Sequence, residues 1–131
     1  MFTMTNADFL IWEPLIKKAA DSIRALDLPE AIKPEPEDDD FDVIGEVFGF
    51  FGFEVDMNAD GCYMLDCRDE FGGLASIRLM EDIFKAISRA VEPGSFLEFS
   101  DDGDLLRYVF LYDVVEKWTV PHVLFEKKEA I

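Results

Sequence analysis

From Pro14 to Leu26 the apolar residues Leu15, Ile16, Ala19, Ala20, Ile23 and Leu26 recur at spacings of three and four. That is the period of a helix burying one face. Pro14 suits its first turn and Leu28-Pro29 ends it. From Phe53 the period changes to two, with Phe53, Val55 and Met57 on one side and Glu54 and Asp56 on the other, as in a half-buried strand. Asn58-Ala59-Asp60-Gly61 supplies turn chemistry, so a hairpin with the run Tyr63 to Cys67 is expected. The stretch before it, Val43 to Phe53, is ambiguous. Val43, Ile44, Val47, Phe48 and Phe51 fit a helical stripe, but Gly45, Gly49 and Gly52 would each cost a helix about 1 kcal/mol relative to Ala. A strand with bulges is the expectation there.

The cleanest helical stripe is Leu74, Ile77, Met80, Phe84, Ile87 and Val91, with Ser76 as a plausible N-cap and Pro93-Gly94 as the stop. Ser95 to Ser100 and Leu105 to Leu111 then read as strands around the turn Asp101-Asp102-Gly103-Asp104. After a weaker turn at Tyr112-Asp113, Val114 to Thr119 and Val120 to Phe125 complete the sheet, with Pro121 at an edge or bulge. This order predicts an α+β fold, a two-layer sandwich of an antiparallel sheet of about five strands, one long helix packed on it and an extra N-terminal helix. A single domain over 1–131 is expected, divided into an N-terminal helix (1–28), an acidic Pro-rich linker (29–42) and a core of sheet and helix (43–131).

Charge changes this picture more than composition does. The 131 residues hold 29 Asp plus Glu against 12 Lys plus Arg, a net of -17, yet half are apolar and 13 are Phe, enough to bury a core rather than remain disordered. Direct binding to nucleic acid or an anionic membrane is disfavoured, because both need positive charge. A basic protein is the natural partner. The excess is uneven: residues 1–60 carry 15 acids against 4 bases, residues 61–131 carry 14 against 8. No basic segment leads into an apolar stretch at the start and no run of eighteen apolar residues occurs, so a soluble, cytoplasmic protein is expected. One His and two Cys are too few for the usual zinc site, and Cys62 and Cys67, five apart, fall on opposite faces of a regular strand and should stay reduced. No cofactor is implied.

Five patterns could carry chemistry. Asp56-Met57-Asn58-Ala59-Asp60-Gly61 matches the start of a calcium loop, with Asp56, Asn58 and Asp60 as ligands, but Cys67 stands where the bidentate Glu belongs, and a plain Asx turn explains the same residues. A Cys-His nucleophile would need His122, whose spacing from either cysteine gives no support. Carboxylate pairs are too abundant to mark an acid and base, and no phosphate-loop, dinucleotide, nucleophile-elbow or zinc-protease motif occurs. Phe48-Gly49-Phe50-Phe51-Gly52-Phe53 lacks the basic residues of a base-stacking platform and reads as core. No catalytic residue is assigned and no enzyme activity is expected.

The fifth pattern is the acidic surface. Glu35, Glu37 and Asp39 in an extended chain would lie about 6–7 Å apart, near the spacing of successive phosphates on one strand. Asp38, Asp40, Asp42 and Glu46 enlarge that cluster, and Asp101, Asp102 and Asp104 form another at a hairpin tip. In composition alone, the chain looks like the general run of phage and mobile-element inhibitors and of immunity proteins for basic toxins. Three readings follow. The first is a DNA mimic or anti-CRISPR-like inhibitor whose acids occlude a nuclease, a toxin or another nucleic-acid-binding effector. The second is an immunity or regulatory protein binding through an apolar sheet edge, with Trp118 and Val120 exposed. The third is a divalent-cation binder or small metal-dependent enzyme.

Overall fold

The computed structural model describes residues 2–67, 74–101 and 103–120. Among these the chain is α+β, with three α-helices and two antiparallel sheets. Strand β1 (Phe2–Asp8) is followed by β2 (Leu10–Trp12), a 3-10 turn over Glu13–Leu15, helix α1 (Ile16–Arg24) and helix α2 (Asp40–Phe50). Next come the β3–β4 hairpin (Phe53–Met57, Gly61–Cys67), helix α3 (Leu74–Ile87) and strands β5 (Phe96–Asp101), β6 (Asp104–Phe110) and β7 (Val115–Val120). Four strands pair in the order β1-β5-β6-β7 and three in the order β2-β4-β3. The expectation of one sheet of about five strands is thus corrected to two sheets, joined by β1 and β2. The helix expected over 1–28 is thereby confined to Ile16–Arg24, and the pattern hid β1 because Thr5 is an extra residue between the pairs Met4↔Phe99 and Asn6↔Glu98, which breaks the alternation.

Residues 43–50 are helical, against the strand expectation. The stripe Val43, Ile44, Val47 and Phe48 is buried, and a Cβ at Gly45 or Gly49 would meet nothing within 4 Å, so the glycines weaken the helix without shaping it. Burial of four large side chains, worth about 1.5–3 kcal/mol each, outweighs two glycines at about 1 kcal/mol each. The acidic linker is also shorter and less extended than its composition suggests: Ile32 is buried, Glu35 and Asp38 close a turn, and α2 begins at Asp40. Ser76 lies inside α3 and does not cap it. The two hairpin turns form where expected, with Gly103 at a φ of 94°. The strand expected over Val120 to Phe125 lies, beyond Val120, outside the described residues, as do Pro121, His122 and Asp102.

One cluster of buried side chains draws on every helix and both sheets. Phe84 of α3 lies at its centre, 5.1 Å from the Tyr108 ring, 5.5 Å from Phe110 and 6.2 Å from Phe48, in the separations that aromatic pairs prefer. Phe48, Phe51 and Phe53 are buried, in line with the core reading of that segment, whereas Phe50 is exposed, against it. Leu97, Phe99, Tyr108 and Phe110 turn one face of the four-stranded sheet toward α3, and the described residues leave the other face open. Among the described residues no helix is long and apolar enough to cross a membrane.

Candidate functional site

The acids between Glu35 and Glu46 divide into two groups. Asp38, Asp39 and Asp40 hold the chain together. Asp38 Oδ2 accepts from the Glu35 N–H (3.0 Å), and Asp39 Oδ1 accepts from the Asp42 N–H (2.8 Å), capping α2. Arg24 ties α1 to this corner, donating to Asp40 Oδ1 (2.7 Å) and to the Asp38 carbonyl (3.1 Å). Glu35, Glu37, Asp42 and Glu46 are exposed, and among the described residues none pairs with a Lys or Arg. Asp38, Asp42 and Glu35 crowd Glu46 instead. The contact with Asp38, then repulsion from Asp38, Asp42 and Glu35, raises the Glu46 carboxyl above the ordinary glutamate value.

Glu35, Glu37 and Asp39 do not lie in one extended run, because the turn at Glu35–Asp38 folds the chain between them, although Asp39 itself is extended as the cap of α2. The second cluster sits on another element: Asp101 and Asp104 face each other across the end of the β5–β6 hairpin. Glu46, which belongs with the uncompensated acids, follows from helical spacing: it lies one turn beyond Asp42 once α2 is recognised.

The calcium-like segment is a turn. Asn58 Oδ1 accepts from the Asp60 N–H (2.8 Å) and the Gly61 N–H (3.3 Å), using the side chain that a metal would need. Among the described residues no group of three or more His, Cys, Asp or Glu is placed to hold a metal ion. Cys62 and Cys67 are both buried thiols, not on opposite faces. The reason is a bulge in β4: Val55 pairs with Met64 and Glu54 with Asp66, so Leu65 is an extra residue that reverses the parity. Burial, with the Asp56 charge adding to it, pushes the Cys62 thiol up to about 12, the opposite of an activated nucleophile.

The open face of the four-stranded sheet is the remaining candidate, and the register places its residues in three rows. Ser100, Leu105 and Val120 form one, Glu98, Arg107 and Trp118 the next, and Phe96, Val109 and Glu116 the third. Arg107 donates to Glu98 Oε2 from Nη2 (2.6 Å) and Nε (3.0 Å), and its guanidinium lies 4.9 Å from the Phe96 ring centre. That bond, with help from Thr5, holds the Glu98 carboxyl below the ordinary value against the opposing effect of burial. Around this ion pair Trp118, Val120 and Leu105 are 59, 50 and 39% exposed, and Leu105, Leu106, Arg107, Trp118, Val120 and Glu98 line a groove of about 390 Å³. The expectation that Trp118 and Val120 are exposed holds.

On the far side of the sheet, Glu81 receives the Tyr108 hydroxyl (2.6 Å) and Lys117 Nζ (2.8 Å). Burial raises the Glu81 carboxyl, but the bonds from Lys117 and Tyr108 prevail and hold it below the ordinary value. This triad fastens α3 to β6 and β7. No family model, curated protein or solved structure matches the chain.

Proposed function

We propose that this chain is a non-enzymatic acidic binding protein that neutralises a basic, nucleic-acid-handling protein partner in the cytoplasm. The reading is supported chiefly by the cluster Glu35, Glu37, Asp42 and Glu46, exposed carboxylates that lack a basic partner among the described residues. Like charges held this close repel one another, and a cationic surface laid against them relieves that repulsion. Asp101 and Asp104 add to the field from the hairpin end, and the net charge of -17 extends it beyond contact distance. Such a field speeds encounter with a positive groove and loses strength in salt.

The experiment separates the two groups of acids. A variant carrying Glu35→Gln, Glu37→Gln, Asp42→Asn and Glu46→Gln keeps the cap and the Arg24 bridge, whereas changing Asp38 to Asp40 would disturb α2 itself. Affinity capture at about 50 mM salt should return a basic protein that elutes by about 500 mM, and the variant should associate with it about tenfold more slowly. No basic protein in the eluate, or equal association by the variant, removes the proposal. A second reading, an immunity or regulatory protein that binds through an apolar sheet edge, is favoured by exposed Trp118 and Val120 and predicts a complex indifferent to salt.

A further inference from the structure

Trp118, Val120 and Leu105 lie side by side on the open face, on a central and an edge strand of the four-stranded sheet. Contiguous exposed apolar groups of this kind mark contact surfaces, and Trp and Arg are the residues that most often carry their binding energy. The face is graded. Toward β1 it presents Thr3, Asn6 and Asp8, and toward β7 it presents the apolar group.

Charge decides the occupant. The one basic residue in the three rows, Arg107, is held by Glu98, which leaves Glu116 in the rows and Asp8 beside them as acids with no basic partner among the described residues. A second copy of the chain would bring another -17 and another acidic border onto the first, which opposes self-association. A segment with apolar side chains flanked by Lys or Arg matches both the groove and its border.

We infer that the outer face of β5, β6 and β7 docks a basic amphipathic segment of a partner protein, with an apolar side chain seated in the groove between Leu105, Trp118 and Val120. The inference takes the partner's charge from the proposed function and adds the surface that gives the contact its specificity. Arg107, fixed between Glu98 and the Phe96 ring, forms a rigid floor, so little side-chain freedom is lost when the groove fills.

Fluorescence anisotropy with three labelled synthetic peptides of equal length tests this: alternating Val and Lys, alternating Val and Glu, and Lys throughout. The wild-type chain should bind the Val-Lys peptide about tenfold more tightly than the all-Lys peptide and should not bind the Val-Glu peptide. Trp118→Ala, and separately Leu105→Ser, should abolish that preference and leave all-Lys binding unchanged. Both sites are exposed, so neither change threatens the core. Equal wild-type affinity for the Val-Lys and all-Lys peptides, or a Trp118→Ala chain that keeps the preference, overturns the inference. If the four-site acidic variant binds the all-Lys peptide as tightly as wild type, the proposed function fails while the Val-Lys preference still reads the groove. A dimer in sedimentation that Trp118→Ala dissolves would assign the face to a second copy and overturn the choice of occupant.

Discussion

Gly45→Ala with Gly49→Ala should stabilise the protein. Both glycines lie within α2, both have φ outside the left-handed region, and an added methyl at either meets nothing within 4 Å. Alanine therefore brings no clash and removes backbone freedom that the unfolded chain otherwise holds, a gain of about 0.5–1 kcal/mol at each position. One turn apart and without shared partners, the two should add to about 1–2 kcal/mol. At about 2 cal/mol/K of unfolding entropy per residue, a chain of this length should melt about 4–7 °C higher. Thermal unfolding followed by circular dichroism measures this, with helical signal retained. Gly61→Ala is the control of opposite sign. Gly61 has a φ of 151° and its Cβ would run into the Ile11 carbonyl of the neighbouring strand, so the melting temperature should fall. A Gly45→Ala, Gly49→Ala chain that melts at or below wild type would refute the helical account of residues 40–50, because alanine carries no such advantage in a bulged strand.

Two further outcomes follow from the titrating groups. Folding raises the Glu46 carboxyl, so the stability linked to it is complete below the unfolded glutamate value and is lost as pH rises through the folded one. Glu46→Gln should therefore melt higher than wild type at pH 7 and low salt, with the difference vanishing as pH falls below about 4 or as salt rises; a lower melting temperature at pH 7 would contradict the crowding of Glu46. Cys62, pushed to about 12, and the buried Cys67 should both resist Ellman's reagent at about pH 8 until denaturant is added, when two thiols should react; fast labelling of the native chain would contradict the burial.

The elements legible in the sequence are those in which pattern and turn chemistry agree. Helices α1 and α3 carry unbroken stripes, and the β3–β4 and β5–β6 hairpins carry Asn-Ala-Asp-Gly and Asp-Asp-Gly-Asp at their turns. Where a single inserted residue intervenes, periodicity misleads. Thr5 disguises β1 as irregular chain, and Leu65 makes Cys62 and Cys67 seem to face apart when both are buried. The strand expected at 43–53 sets the cost of three glycines above the apolar stripe, whereas burial of that stripe outweighs the two glycines that fall within α2. Asp39 with Asp42 three residues on, before an apolar run, was the available sign of a helix start.

The candidate surface was legible as composition but not as function, because an aspartate's role depends on what lies within about 3 Å of its oxygens. Asp38, Asp39 and Asp40 meet two backbone N–H groups and Arg24, while neighbouring Glu37 and Asp42 meet no cation among the described residues, and nothing in the run Glu35 to Asp42 separates them in advance. The same division explains why so acidic a corner can fold at all. Asp39, Asp40 and Asp42 sit at the N-terminus of α2, where the helix dipole and its unpaired N–H groups favour negative charge. Part of the acidic run is thus anchored by the helix it begins. Glu35, Glu37 and Glu46 gain nothing from the helix start and Asp42 gains only its dipole, so the repulsion among these four is relieved by salt, by protons or by a basic partner, and the residues that make the fold salt-sensitive are those on which binding should depend.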